Sequence, residues 1–260
     1  MVQAQQAPAF RVGLVVNMPE IEAAKIGKAF TRALGLGCAA VPCRSYTELL
    51  ERVEDCRVEL AWLPPVAYLR AEAAAAVKLL LTVERGGRDT FSSALLGRRA
   101  VISGFGDLPG KRAAWVHVWS AAGYLLPRYM LRANGLDPDS TFAAQGFYES
   151  HSAVLSALQD GSADVGAAFC AVGDDGEIER HPWTAEHGVT VLATSFSIPT
   201  DTICAARHVP DDLAKTITDL LLQPQRGAVV AKALEGSGLG PAEPSRYSRL
   251  AEVLAADFQT

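Results

Sequence analysis

Two junctions in the middle of the chain carry the residues best placed for chemistry. The stretch from Asp107 to Phe169 reads DLPGKRAAWVHVWSAAGYLLPRYMLRANGLDPDSTFAAQGFYESHSAVLSALQDGSADVGAAF. In it a short apolar run ends at Trp119-Ser120, and a helical pattern begins at once. The same join recurs at Tyr148-Glu149-Ser150-His151. A helix that starts at a strand end presents unpaired backbone N–H groups and a positive dipole end, which suits anions and polar ligand heads. Two such joins so close together point to a ligand cleft. Simpler roles also fit: Ser120 as a plain N-cap, and His151 as a solvent-facing residue of the next helix.

Other chemistries find less support. No G-x-S-x-G nucleophile motif occurs. No CxxC or Cys/His spacing suits zinc, and the five histidines lie apart, so no metal site and no cofactor are expected. His181 and His187 read as solvated. Five cysteines leave at least one thiol unpaired. Cys38 and Cys43 flank an extended apolar run that points them to opposite faces and spaces them beyond disulfide reach. All five read as small buried hydrophobes.

These junctions need a scaffold, and 260 residues with 49% hydrophobic content suffice for two lobes. The net charge of -5 argues against a nucleic-acid partner. The longest apolar candidate, Ala71–Leu81, is too short for a membrane span and contains Glu72 and Lys78. The N-terminal MVQAQQAPAF lacks the pattern of a signal peptide. Two expectations stay open: a cytoplasmic chain, or a mature extracytoplasmic (periplasmic) one whose leader is absent.

Strand-like and helix-like segments alternate. Strands are expected at Phe10–Val16, Cys38–Val41 and Val58–Leu63, with helices at Ile21–Leu34, Thr47–Val53 and after Pro64-Pro65. This βαβ rhythm marks a mostly parallel sheet flanked by helices. Phe91–Leu96 and Arg98–Val101 read as strands without a helix between them. A second set follows: strand Arg112–Val118, helix Ala121–Ala133, strand Phe142–Phe147, helix Ser152–Gln159 and strand Asp164–Phe169. An exposed loop is expected over Gly173–Glu179, strands at Val189–Phe196 and Thr202–Arg207, and helices at Asp211–Leu222, Arg226–Leu234 and Arg246–Phe258. The rhythm fits two α/β lobes, 10–97 with 197–260 and 98–196, joined by extended crossovers near Ser92–Val101 and Thr190–Ile198. In such folds the ligand sits beyond the carboxyl ends of the strands and between lobes.

Several motifs in order give this pattern a relative. They are DL-x-GK, S-x-x-GY-x-x-P, a GLDP turn, SHSAVLSAL and DG-x-ADVGA, with VELAWLPPVAY before them and IPTDTICAARHVPDDL after. From about Arg11 to Pro244 the chain resembles the phosphonate-binding family of ABC-transporter solute-binding proteins, which have the type 2 periplasmic-binding-protein fold. The resemblance implies a pocket. Tyr46 matches a first-lobe aromatic. Ser120-Ala121-Ala122 matches a Ser-Thr-Ser phosphonate loop, His151 a pocket histidine, and Asp201 an acidic residue that binds the ligand's ammonium group. The family's second acidic residue falls near Ala171 and is lost here, and its pocket tyrosine falls near Thr90 or Phe91 and is also changed. Trp62, Trp115 and Trp119 would enlarge an aromatic wall, although Trp115 and Trp119 read equally as buried, Tyr46 and Trp62 as lining, and Asp201 as a structural pair.

The departures bear on the ligand. Each lost hydroxyl removes a charge-assisted hydrogen bond of roughly 1.5–3 kcal/mol, so two would cost about 3–6 kcal/mol, or about 10²–10⁴-fold in affinity. The backbone N–H groups of Ala121 and Ala122 remain for an anion. The resemblance implies a monomeric, non-enzymatic protein that clamps a small phosphonate-like anion or zwitterion between two lobes, with an ABC permease as partner. Two alternatives stay open: an enzyme on the same fold, similar to menaquinone-pathway enzymes, and a ligand-sensing regulatory domain.

Overall fold

The structure is a computed structural model that describes residues 10–15 and 20–257, without the side chains of Glu20 and Ile21. The N-terminal segment 1–9, Val16 and Phe258, each part of an expectation above, lie outside the described residues. In chain order the first elements are β1 (Phe10–Val15), α1 (Glu20–Leu34), β2 (Cys38–Cys43), α2 (Tyr46–Glu54), β3 (Leu60–Leu63), α3 (Pro65–Ala73) and β4 (Val77–Glu84). Next come β5 (Thr90–Arg98), β6 (Arg112–Trp115), α4 (Leu126–Ala133), β7 (Ala144–Phe147), α5 (His151–Asp160), β8 (Val165–Val172), β9 (Ile178–Arg180), β10 (Val189–Thr194) and β11 (Ile198–Pro199). The chain ends with β12 (Thr202–Ala206), α6 (Asp211–Leu221), α7 (Pro224–Ala233), β13 (Gly238–Pro241) and α8 (Ser248–Asp257).

The chain divides into two compact units, Met1–Asp89 with Pro199–Tyr247, and Thr90–Ile198 with Ser248–Thr260. The first unit is built on a mixed sheet in the order β13-β4-β12-β3-β1-β2. Its β2-β1-β3 part is parallel, and β12 runs antiparallel to both β3 and β4. Pro42 is tolerated in β2 because that strand lies at the sheet edge. Phe30 of α1, Ile217 of α6 and Val230 of α7 pack on Leu14, Leu60 and Leu81 of the strands. The amphipathic spacing of these helices puts their apolar stripe on the sheet.

The second unit has a mixed sheet in the order β10-β5-β8-β6-β7, with β9 paired to β8. Side chains alternate across its strands and feed two cores. Ala94, Leu96 and Ala114 meet Val154, Leu155 and Leu158 of α5 on one face. Leu95, Ala113 and Trp115 meet Met130 and Leu131 of α4 on the other.

Several expectations need correction. The segments expected as crossovers are β5 and β10, hydrogen-bonded to each other along most of their length inside the second unit. Arg98 ends β5, and the expected strand Arg98–Val101 turns away instead, with Val101 exposed. Val77–Glu84 is a strand that the apolar run at Ala71–Leu81 concealed, and β9 occupies the end of the expected loop. The last helix, expected with the first lobe, belongs to the second unit. Arg128 of α4 donates to Asp257 of α8 at 2.9 Å, and Arg132 pairs with the same carboxylate.

Candidate ligand-binding site

Strand direction gathers the expected residues within each unit. In the second unit β6 runs parallel to β7 and β8, whereas β5 runs antiparallel to β8, with Ser92 opposite Cys170. The start of β5 therefore lies at the same sheet end as the carboxyl ends of the other three. That end carries Thr90, Phe91, Ser120, Ala121, Ala122 and His151.

Ser120 caps a helical run whose first turn, Ala121–Leu125, is wound as a π-helix before α4 continues it. Such turns recur at functional sites. The Gly123 amide donates to Ser120 Oγ at 3.0 Å, and the Val116 amide donates to the Gly123 carbonyl at 3.1 Å. Only glycine fits at position 123, because a Cβ there would sit 2.3 Å from Val116 Cγ2. Ser93 Oγ of β5 donates to the Ala122 carbonyl at 2.6 Å. These bonds fix the start of the helix against the strand ends. The Ala121 and Ala122 amides, first in the run, have no intrahelical acceptor. Both side chains are buried.

His151 opens α5 behind the Ser150 cap, whose side chain accepts from the Ala153 amide at 3.1 Å. Gly161 closes the helix in the left-handed conformation, at φ 79°. Glu149 also takes a left-handed φ, 63°, and its amide donates to the Val116 carbonyl at 2.9 Å. This turns the chain sharply from β7 into α5. His151 is half-buried. Its Nδ1 is buried without a hydrogen-bond partner, and its ring stands edge-on to Phe169, 5.2 Å between centres. Burial pulls its pKa down to about 4, against a weaker opposing effect of the Ala167 backbone.

One expectation fails in this unit. Trp115 forms no wall: it is fully buried, packs on Phe142 and donates from Nε1 to Gln145 at 2.7 Å. Ala171, where the family's second acidic residue is absent, is a buried β8 residue. Trp119 is half-buried, and its amide meets His117 Nδ1 at 3.2 Å. Thr90 and Phe91 are half-buried.

In the first unit β12 begins, and β3 and β4 end, at one sheet edge, with Thr202 opposite both Leu63 and Thr82. Tyr46, Trp62 and Asp201 lie there. Ser45 caps α2 for the Glu48 amide, and the Glu48 carboxylate accepts from the Arg44 amide, so the helix start is held from both sides. Burial, with the Asp201 charge second, pushes the Tyr46 phenol up to about 12. Trp62 packs on the core, and its buried Nε1 has no hydrogen-bond partner.

Asp201 carries an ion pair that the sequence reading missed. Arg85 donates to its Oδ2 at 2.5 Å and also to the Glu235 carbonyl at 3.0 Å. Asp89 is paired in the same way with Arg246. The clue to Arg85 lay in sequence, directly before the Gly86-Gly87 turn, but its partner is 116 residues away. A separate open groove of about 440 Å³, lined by Ala24, Gly27, Lys28, Ala39 and Pro42, holds none of these residues.

Comparison with known proteins settles the relationship. Residues 22–247 match the family model described as ABC transporter, phosphonate, periplasmic substrate-binding protein. The chain belongs to this phosphonate substrate-binding family. Its members are transport proteins that bind a small-molecule substrate for a membrane permease, and they work outside the cytoplasm. Solved structures share the fold. XAC2383 from Xanthomonas citri, bound to chloride ion, superposes with a TM-score of 0.78 at 20% identity, over 96% of this chain and 99% of that one. The same protein bound to ATP gives 0.77 at 19% identity, over 95% and 97%. PhnD1 from Prochlorococcus marinus, in complex with methylphosphonate, gives 0.74 at 14% identity, over 96% and 98%. The type 2 periplasmic-binding-protein fold implied by the sequence is the observed one. Among the described residues no helix is long and apolar enough to cross a membrane.

Proposed function

We propose that this family member binds a small organic anion for ABC-type import, with the acidic group of the ligand on the helix start at Ser120-Ala121-Ala122. The carrying observation is the fixed helix start itself. Ser93, Val116 and Gly123 hold it at the strand ends, where N–H groups and dipole favour negative charge. Tyr46, Trp62 and Asp201 of the first unit, and Thr90, Phe91 and His151 of the second, complete the proposed ligand contacts.

Binding rather than turnover is the better reading. Ser120 Oγ already accepts from the Gly123 amide, which suits a cap more than a nucleophile. We place the protein outside the cytoplasm with its family, acting as a monomer. PhnD1 binds methylphosphonate, which makes phosphonates the first ligands to try. Isothermal titration against methylphosphonate, phosphate, phosphite and small amino compounds tests the proposal. Saturable binding of at least one phosphonate, recovered chemically unchanged, is expected. Absence of binding across the set, or chemical conversion of a bound ligand, overturns it.

A further inference from the structure

The second unit exposes an unusual amount of apolar side chain at its ligand-facing sheet end. Phe147, last residue of β7, is 48% exposed, Val118 is 42% exposed, and Phe169, on the interior strand β8, is 37% exposed. A sheet covered by helices on both faces normally hides a phenylalanine of its interior strands. Phe169 stands where β8 runs on past its pairing with β6, beside the His151 ring. Phe147 is opposite Trp115 in register, so it flanks the turn that leads to Ser120. Its ring meets Tyr124 at 5.3 Å and His117 at 6.4 Å between centres. The result is a set of aromatic faces and edges around one helix start, with few hydroxyls to satisfy a compact, highly charged ligand.

The first unit points the same way. Asp201 and Asp89, the carboxylates that a cationic group would seek there, already hold Arg85 and Arg246. A ligand ammonium would have to compete with a guanidinium for either one.

Resting on the binding function proposed above, we infer that the ligand is an organic anion with an aromatic or bulky apolar body and no ammonium group. Its acidic head meets the Ser120 helix start, and its body lies on Phe147 and Phe169. Aromatic rings gain from offset or edge-on stacking beyond simple burial. A ring on the ligand therefore finds partners here that a methyl group does not.

The test compares phenylphosphonate, methylphosphonate and 2-aminoethylphosphonate by isothermal titration, with the wild-type chain and the Phe147→Ala variant. Phenylphosphonate is expected to bind about tenfold or more tighter than the other two. Phe147→Ala should erode that advantage more than it weakens methylphosphonate. Thermal melting of the variant checks that it folds, and Phe147→Leu serves if it does not, with a smaller erosion expected. Tightest binding of 2-aminoethylphosphonate, or a phenyl advantage indifferent to position 147, overturns the inference and leaves the binding function standing. Failure of all three to bind overturns both.

Discussion

Arg85 donates to Asp201 at 2.5 Å, so the carboxylate best placed to receive a cationic ligand already holds a guanidinium. The Asp201 side chain is only 20% exposed, and removing its partner leaves a largely desolvated charge. Arg85→Met should lower stability by about 1–3 kcal/mol. It should also improve the affinity of 2-aminoethylphosphonate relative to methylphosphonate. Denaturant unfolding and parallel titrations read the two effects. Unchanged stability together with unchanged preference would contradict this role of the pair.

The helix start depends on Ser120 and Gly123 in different ways. Ser120→Ala removes the acceptor of the Gly123 amide and should cost about 1 kcal/mol of stability. Gly123→Ala drives a methyl group into Val116 and Ser120 and should cost about 1–3 kcal/mol. Urea midpoints measure both, and Gly123→Ala should be the more damaging.

His151 makes stability depend on pH. Its folded pKa of about 4 lies below the ordinary 6.5, so between those values the unfolded chain binds the extra proton. Stability should therefore be level above about pH 6.5 and fall by about 1–3 kcal/mol as pH drops toward 4. His151→Gln should flatten that window. A separate loss is expected lower down. Asp164, held at about 2 chiefly by its hydrogen bond from Arg112, contributes stability above the ordinary carboxylate range and loses it as pH falls toward 2. Urea unfolding from pH 2 to 8 follows both.

Arg128 anchors the last helix. Its side chain is 5% exposed and bonds both Asp139 and Asp257. Arg128→Met leaves the buried Asp257 with Arg132 in place of two arginines and should cost about 1–3 kcal/mol, of which Arg128→Met with Asp257→Leu should recover a part. Hydrogen exchange should show α8 as the first segment to lose protection in the single variant.

Local signals made much of the fold legible. The Ser120 cap, the strand–helix join at Ser150-His151 and the apolar periodicity of α1 are each written in a few adjacent residues. Elements that depend on distant partners were harder to read. β4 looks like an apolar helix tail until β12 and β13 pair with it, and α8 shows its allegiance through Arg128 and Arg132. The same division holds at the candidate site. Ser120 and His151 announce themselves at strand–helix joins, but the orphaned Nδ1 of His151 depends on the β8 side chain Phe169. The Arg85–Asp201 pair and the exposure of Phe147 arise from register and sheet order, which no local pattern encodes.

The central claim is that the amides at the Ser120 helix start receive the ligand's acidic group. Backbone ¹⁵N–¹H spectra recorded during a methylphosphonate titration test it most directly. The account predicts that the Ala121, Ala122 and Gly123 amides shift together and saturate with the dissociation constant found by calorimetry. Saturable binding that leaves these three amides unmoved would contradict it.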